Sequence, residues 1–231
     1  RLVQQEYPAL GHVASDRELR LGTRGSQLAL WQANAVADRL AAAGGPRCRI
    51  VTIKTSGDRL QDAPLSQAGG KRLFVKEIED ALANESIDLA VHSSKDLPVE
   101  LYRGLTVGAV LPREDPRDAL VLGSGLQVPG SGFQSVVQVA EQLGHSPTIG
   151  TSSVRRTAQL SALWPSALFL PVRGNLDTRL RKLDEGQYSA LVLAAAGLKR
   201  LGWESRISLA LPLSACVPAP GQGIVAIEIR A

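Results

Sequence analysis

From Glu18 onward, short apolar runs alternate with stretches in which apolar residues recur every three or four positions. A period that switches this way marks βαβ units, and hence an α/β fold with largely parallel strands. The pattern predicts strands at Glu18–Gly22, Cys48–Thr52, Leu89–His92, Thr106–Leu111, Ala119–Leu122, Thr148–Gly150, Ala167–Val172, Leu191–Ala195 and Ile224–Ile229. The clearest helix runs from Gln27 to Ala43, where Leu28, Trp31, Ala35, Val36, Leu40 and Ala43 share one face between an N-capping Ser26 and a terminating Gly44. Further helices are expected near 73–84, 153–163, 176–185 and 195–200.

Two proline-bearing segments break the alternation, LPREDPRD at 111–118 and LPLSACVPAPG at 211–221. They read as paired crossings between two lobes. The first lobe then takes 18–112 plus 217–231, and the second takes 113–216. Residues 123–146 are long for a connection and read as a mobile or decorated loop of the second lobe. The polar segment 55–72 reads as a lid, with Asp58 and Lys71 within reach of a ligand.

Composition narrows the classes. Apolar residues make up 44% and charged residues 21%, as in globular domains, and no apolar run approaches the roughly 18 residues of a membrane span. Two cysteines and three histidines, in no CxxC or HExxH arrangement, point to no disulfide framework and no metal site. The first residues lack a secretory pattern, which favours the cytoplasm. Only six of the 26 basic residues are lysine, and arginine predominates where planar carboxylates or phosphates are gripped by a fork. Nucleic-acid binding is disfavoured: Trp, Tyr and Phe number three each, and the arginines cluster at helix starts instead of along one helix face.

Position gives the arginines their meaning. Arg24 and Ser26 follow the first strand. Thr151, Ser152, Ser153, Arg155 and Arg156 follow the strand at 148–150, and Arg173, Asn175 and Arg179 follow the strand at 167–172. A cation in a first helical turn opposes the helix dipole, so it points into solvent or an anion sits beside it. Three such sites, on one edge of two sheets, imply a ligand with several carboxylates or phosphates. The fourth loaded strand end, HSSKDLP, delivers His92, Ser93, Lys95 and Asp96. Asp96 is either a salt-bridge partner of Lys95 or a nearby arginine, or a carboxylate that moves protons or opposes a developing cation. His92 reads as a core histidine.

The strings TRGSQLALWQ, TSGDR, GGKRLFVKEIEDAL, DLAVHSSKDLP, REDPRDAL, GTSSVRRTAQL, RGNLDTRLRKLD, LAAAGLKRLG and PAPGQG closely resemble the porphobilinogen deaminases, or hydroxymethylbilane synthases, over 19–230. The resemblance implies two periplasmic-binding-protein-like (type II) α/β lobes around a central cleft. It also implies a transferase of tetrapyrrole biosynthesis that joins four porphobilinogen molecules into hydroxymethylbilane with release of ammonia. Asp96 matches the family's catalytic aspartate. Arg24, Ser26, Lys71, Ser93, Arg155, Arg156, Arg173, Arg179 and Arg200 match groups that bind the carboxylates of substrate and of a dipyrromethane cofactor. Lys95, Thr151, Ser152, Ser153 and Asn175 complete the candidate binding set. The partners implied are porphobilinogen and linear polypyrroles, bound by a monomer with no nucleic acid and no membrane. The family's cofactor hangs from a cysteine in a third domain, and neither Cys48 nor Cys216 matches that loop. Two functional readings follow: a deaminase-type transferase, or a two-lobe binder of porphobilinogen or a linear tetrapyrrole without elongation activity.

Overall fold

The computed structural model describes residues 18–59, 74–123, 126, 133 and 135–231. Its strands are β1 (Leu19–Thr23), β2 (Cys48–Thr52), β3 (Leu89–Ser93), β4 (Leu105–Val110), β5 (Asp118–Leu122), β6 (Thr148–Gly150), β7 (Leu168–Leu170), β8 (Ala190–Ala194), β9 (Leu209–Ala210) and β10 (Val225–Arg230). The helices are α1 (Gln27–Ala42), α2 (Ser56–Arg59), α3 (Lys76–Ala83), α4 (Val136–Leu143), α5 (Val154–Leu163), α6 (Leu176–Asp184) and α7 (Ala195–Arg200). They build two five-stranded sheets, ordered β2-β1-β3-β10-β4 and β7-β6-β8-β5-β9.

The expectation of largely parallel strands needs correction. Parallel pairing is confined to β1 with β2 and β3, and to β6 with β7 and β8. β10 runs antiparallel to β3 and β4, and β5 runs antiparallel to β8 and β9. β5 and β10 are the strands the chain enters straight after each crossing. Entering from the other lobe, with no helical return behind it, each runs against its neighbours. The two-residue β9 is too short to show a period and escaped the sequence pattern.

Helices cover both faces of each sheet. On the first, Ala33 and Val36 of α1 pack with Leu21, Val91, Val225 and Ile227, while Ile78 and Leu82 of α3 cover Ile87, Ala90 and Leu105 opposite. On the second, Leu160 and Trp164 pack with Leu120, Ile149 and Val192, and Leu180, Leu183 and Leu198 cover Val121, Leu191 and Leu193. Every large member of these clusters is almost wholly removed from water, which supplies the main favourable term in folding. The segment read as a decorated loop contributes three buried residues to the core where it is described. Ser135 caps α4 by accepting from the Gln138 amide, and Val139, Leu143 and Phe133 join the second lobe's cluster. The remainder of that reading, and most of the 55–72 lid, lie outside the described residues.

The crossings run side by side. The Gly223 carbonyl accepts from the Glu114 amide at 3.0 Å and from Arg200 at 2.7 Å, and the Gln222 carbonyl accepts from Arg113 at 2.9 Å. Gly223 has a φ of +88°, and a Cβ there would run into the Glu114 carbonyl oxygen. Gly223→Ala is therefore expected to lower stability by about 1–3 kcal/mol. Urea unfolding checks this, and an unchanged midpoint would show that the crossings can part freely.

Candidate functional site

The carboxyl ends of β1, β3 and β8 and the turn after β7 open on one cleft between the lobes, with a volume of about 240 Å³. This is the edge where open α/β sheets place ligands. Arg24, Ser26, Ser93, Lys95 and Asp96 line it from the first lobe, and Arg156, Arg173, Asn175 and Arg179 from the second. Local structure explains the placement. Ser26 caps α1 by accepting from the Ala29 amide at 3.3 Å, which turns the chain sharply after β1. β3 passes into a single 3₁₀ turn, Ser94–Asp96, that carries Lys95 and Asp96 past the strand end. Gly174, with φ +105°, starts the turn into α6, and Asn175 makes no side-chain capping bond there.

The charges are unevenly matched. Arg24 lies 2.5 Å from Asp58 and stacks 4.4 Å over the Phe74 ring, so Asp58 serves this arginine. Burial alone would raise the Asp58 carboxyl, but bonds from Arg24 and Thr55 hold it below its ordinary value. Among the described residues, no carboxylate lies within ion-pairing distance of Lys95 or Arg179, and Asp96 accepts no hydrogen bond. Arg179 donates to the Gly174 carbonyl at 2.9 Å. Burial, with repulsion from Arg156 and Arg173, pushes Arg179 down to about 10. Lys95 falls to about 8, chiefly through burial; Asp96 pulls the other way and Arg156 adds repulsion. Such perturbed cations mark a place where an anion is wanted.

Other sequence candidates fall elsewhere. Ser152 exchanges hydrogen bonds with the Val172 backbone, Thr151 accepts from the Ser153 amide, and Ser153 caps α5. These three build the loop and do not line the cleft. Arg155 turns toward the second crossing, donating to the Val217 carbonyl. Arg200 binds the Gly223 carbonyl and sits 5.6 Å over the Trp31 ring. Lys71 lies outside the described residues. Asp118 lies 2.8 Å from Arg155 and 2.7 Å from Arg156, so the anion beside these two cations at the start of α5 is one of the protein's own carboxylates. Sequence reading missed Asp118 altogether, as it did Gln32, whose amide donates to Ser93 Oγ at 2.9 Å. His92 is buried 3.2 Å from Glu228 of β10.

A family model described as porphobilinogen deaminase, dipyrromethane cofactor binding domain, matches residues 19–231. The chain belongs to this family. Among curated relatives, the porphobilinogen deaminase of Syntrophobacter fumaroxidans is 45% identical over 217 residues, and that of Syntrophomonas wolfei subsp. wolfei 48% over 215. These alignments cover 94% and 93% of this chain, which spans 66% of the length of each relative. In fold, the chain is similar to a lipoprotein of Actinomyces odontolyticus, with a TM-score of 0.52 and 14% identity over 94% of this chain and 84% of the other. It is likewise similar to an extracellular-binding protein, ytmK of Bacillus subtilis, with a TM-score of 0.51 and 9% identity over 94% and 85%. The fold is thus that of two type II periplasmic-binding-protein-like lobes around a cleft.

The family's description implies a dipyrromethane, and the cleft suits its acid arms. Lys95 and Arg179 lack carboxylate partners among the described residues, Arg179 at the cost of a depressed pKa. The thiols do not suit its attachment. Cys216 is buried, and burial followed by Asp118 pushes it up to about 11, while Cys48 begins β2; neither lines the cleft.

Proposed function

We propose that the cleft is the condensation site of a transferase that joins four porphobilinogen molecules head to tail into hydroxymethylbilane, releasing one ammonia per unit. The observation that carries this reading is Asp96, a carboxylate without a hydrogen-bonding partner among the described residues, set in a cleft lined by Lys95, Arg156, Arg173 and Arg179. Each porphobilinogen brings two carboxylates, which these cations neutralise and orient. From the ammonium form of the aminomethyl group the C–N bond breaks with its electron pair going to nitrogen, ammonia leaves, positive charge develops on the pyrrole ring, and the α-carbon of the pyrrole it joins gives up its proton as the new C–C bond forms. Asp96 faces that charge from the cleft wall, among cations that hold the ring's own carboxylates. When bound, the dipyrromethane supplies the pyrrole end to which the first unit is joined. Arg179 and Arg173 would hold its acid arms.

The same reading takes the protein as a cytoplasmic monomer acting on porphobilinogen and linear polypyrroles, with lobes at 18–112 plus 217–231 and at 113–216. Among the described residues no helix is long and apolar enough to cross a membrane. The test is porphobilinogen consumption, followed with Ehrlich's reagent, alongside calorimetric binding. Consumption with matching ammonia release is expected. Binding without consumption favours the binder, and no binding rejects both readings.

Lys95 makes the binding pH-dependent. Its ammonium is the form that attracts carboxylates, and it deprotonates near pH 8. Porphobilinogen affinity should therefore fall as pH rises through about 8, by about tenfold for the loss of one charge-assisted hydrogen bond. Calorimetry across pH 6.5–9.5 checks this. In Lys95→Gln the step should vanish, and a step that persists would assign the titration to another group.

A further inference from the structure

The most heavily bonded carboxylate beside the cleft does not line it. Asp118, the first residue of β5, is fully buried. Its Oδ1 accepts from Arg156 Nε at 3.0 Å, from an Arg156 terminal nitrogen at 2.7 Å and from the Gln222 amide at 2.9 Å. Its Oδ2 pairs with Arg155 at 2.8 Å and accepts the Cys216 thiol at 3.3 Å. A third Arg156 donor goes to the Val192 carbonyl of β8 at 2.7 Å. Three of the five N–H groups of that guanidinium are thereby committed, leaving two on the side away from Asp118.

Of these partners only Arg156 lines the cleft. Gln222 and Cys216 belong to the second crossing, Asp118 ends the first, and Gln222 also donates to the Pro116 carbonyl at 2.7 Å. One carboxylate therefore ties a cleft arginine to both crossings between the lobes. We propose that Asp118 is a positioning residue that aims the Arg156 guanidinium into the cleft and ties that aim to the angle between the lobes. A flexible arginine gains a two-point seat on one carboxylate oxygen, and its free edge is set by the crossings that hold that carboxylate. The proposal rests on the reading of the cleft as a site for anionic pyrroles.

A double-mutant cycle in porphobilinogen affinity tests it, because residues acting as a unit are not additive. Asp118→Asn keeps the shape and loses the charge, and is expected to weaken binding at least tenfold, as is Arg156→Gln. The double variant should bind within twofold of Arg156→Gln alone. Losses that multiply would show that Asp118 acts through the fold at large and overturn the proposal. Should Asp118→Asn fail to fold, Arg156→Lys decides. It keeps the charge but cannot take the forked seat, so affinity within twofold of the parent overturns the proposal. If the parent itself binds no porphobilinogen, the functional reading fails and the seat is judged by nuclear magnetic resonance. The Arg156 Nε–H signal should be protected in the parent and exchange rapidly in Asp118→Asn, or in Arg156→Gln-controlled assignments vanish with the arginine. Protection that survives the loss of the Asp118 charge overturns the positioning role.

Discussion

Replacing Asp96 with Ala should reduce porphobilinogen consumption by about 10²–10⁴-fold, the range that a positioned carboxylate contributes to a proton-moving or charge-developing step. Stability should scarcely move. Asp96 is half-buried and accepts no hydrogen bond among the described residues, so truncating it strands no donor and opens no core cavity. A second effect follows from its neighbours. Asp96 is what partly upholds the Lys95 and Arg179 charges. Without it, Lys95 should lose its proton at a lower pH, and the alkaline fall in porphobilinogen affinity should move to lower pH with it. Ehrlich's assay and thermal melts on one preparation read both. Turnover within threefold of the parent, or a collapse of the melt that accounts for the lost activity, would remove Asp96 from the chemistry.

Arg156→Gln should unfold more readily than the parent by about 3 kcal/mol, because breaking a buried pair strands charge away from water. Asp118 is fully buried and Arg156 nearly so. The helix-dipole argument alone gives the opposite sign, since removing a cation from the start of α5 relieves about 0.3–1 kcal/mol. The paired carboxylate outweighs the dipole. Arg155, more exposed at its contact, should cost less. Acid should tell the same story. Burial opposes ionisation of Asp118, yet Arg156, Arg155 and Gln222 hold its pKa down to about 2. Because that is below the unfolded value of about 3.9, the stability tied to this charge is full above about pH 4 and is lost as pH falls toward 2. Urea titrations at pH 7, 4 and 2.5 check both points. Arg156→Gln should lose less than the parent between pH 4 and 2.5, and equal losses would locate the acid sensitivity elsewhere.

That reversal shows what a linear reading can reach. Strand ends and helix caps are local: Ser26 lies three residues from the amide it caps, and Lys95 and Asp96 follow their strand directly, so their arrival at the cleft was legible. Asp118 was not, because its partners stand 38 positions away at Arg156 and 104 at Gln222. For the cation-loaded start of α5 the sequence left solvent and an anion open, and the protein supplies the anion itself. Arg200 entered the candidate set by resemblance, and in the fold one of its donors reaches a backbone carbonyl of the crossing. Strand direction was hidden for a similar reason. Apolar period reports that a strand is buried but not which way it runs, and the two strands entered from the other lobe are the ones that run backwards.

The order of synthesis gives β10 a further significance. It sits inside the first sheet, bonded to β3 on one side and β4 on the other, and Arg230 reaches back 143 positions to the Ile87 carbonyl. Until residues 225–230 leave the ribosome, β3 presents an unpaired edge and β4 has no strand partner, which is an invitation to wrong pairing. Strands β5 to β9 are all made earlier and need nothing from β10. The first sheet therefore closes after the second. A nascent chain halted at residue 215 would hold a completed second sheet beside a first sheet with a vacant slot, a state suited to holding by a chaperone until β10 arrives.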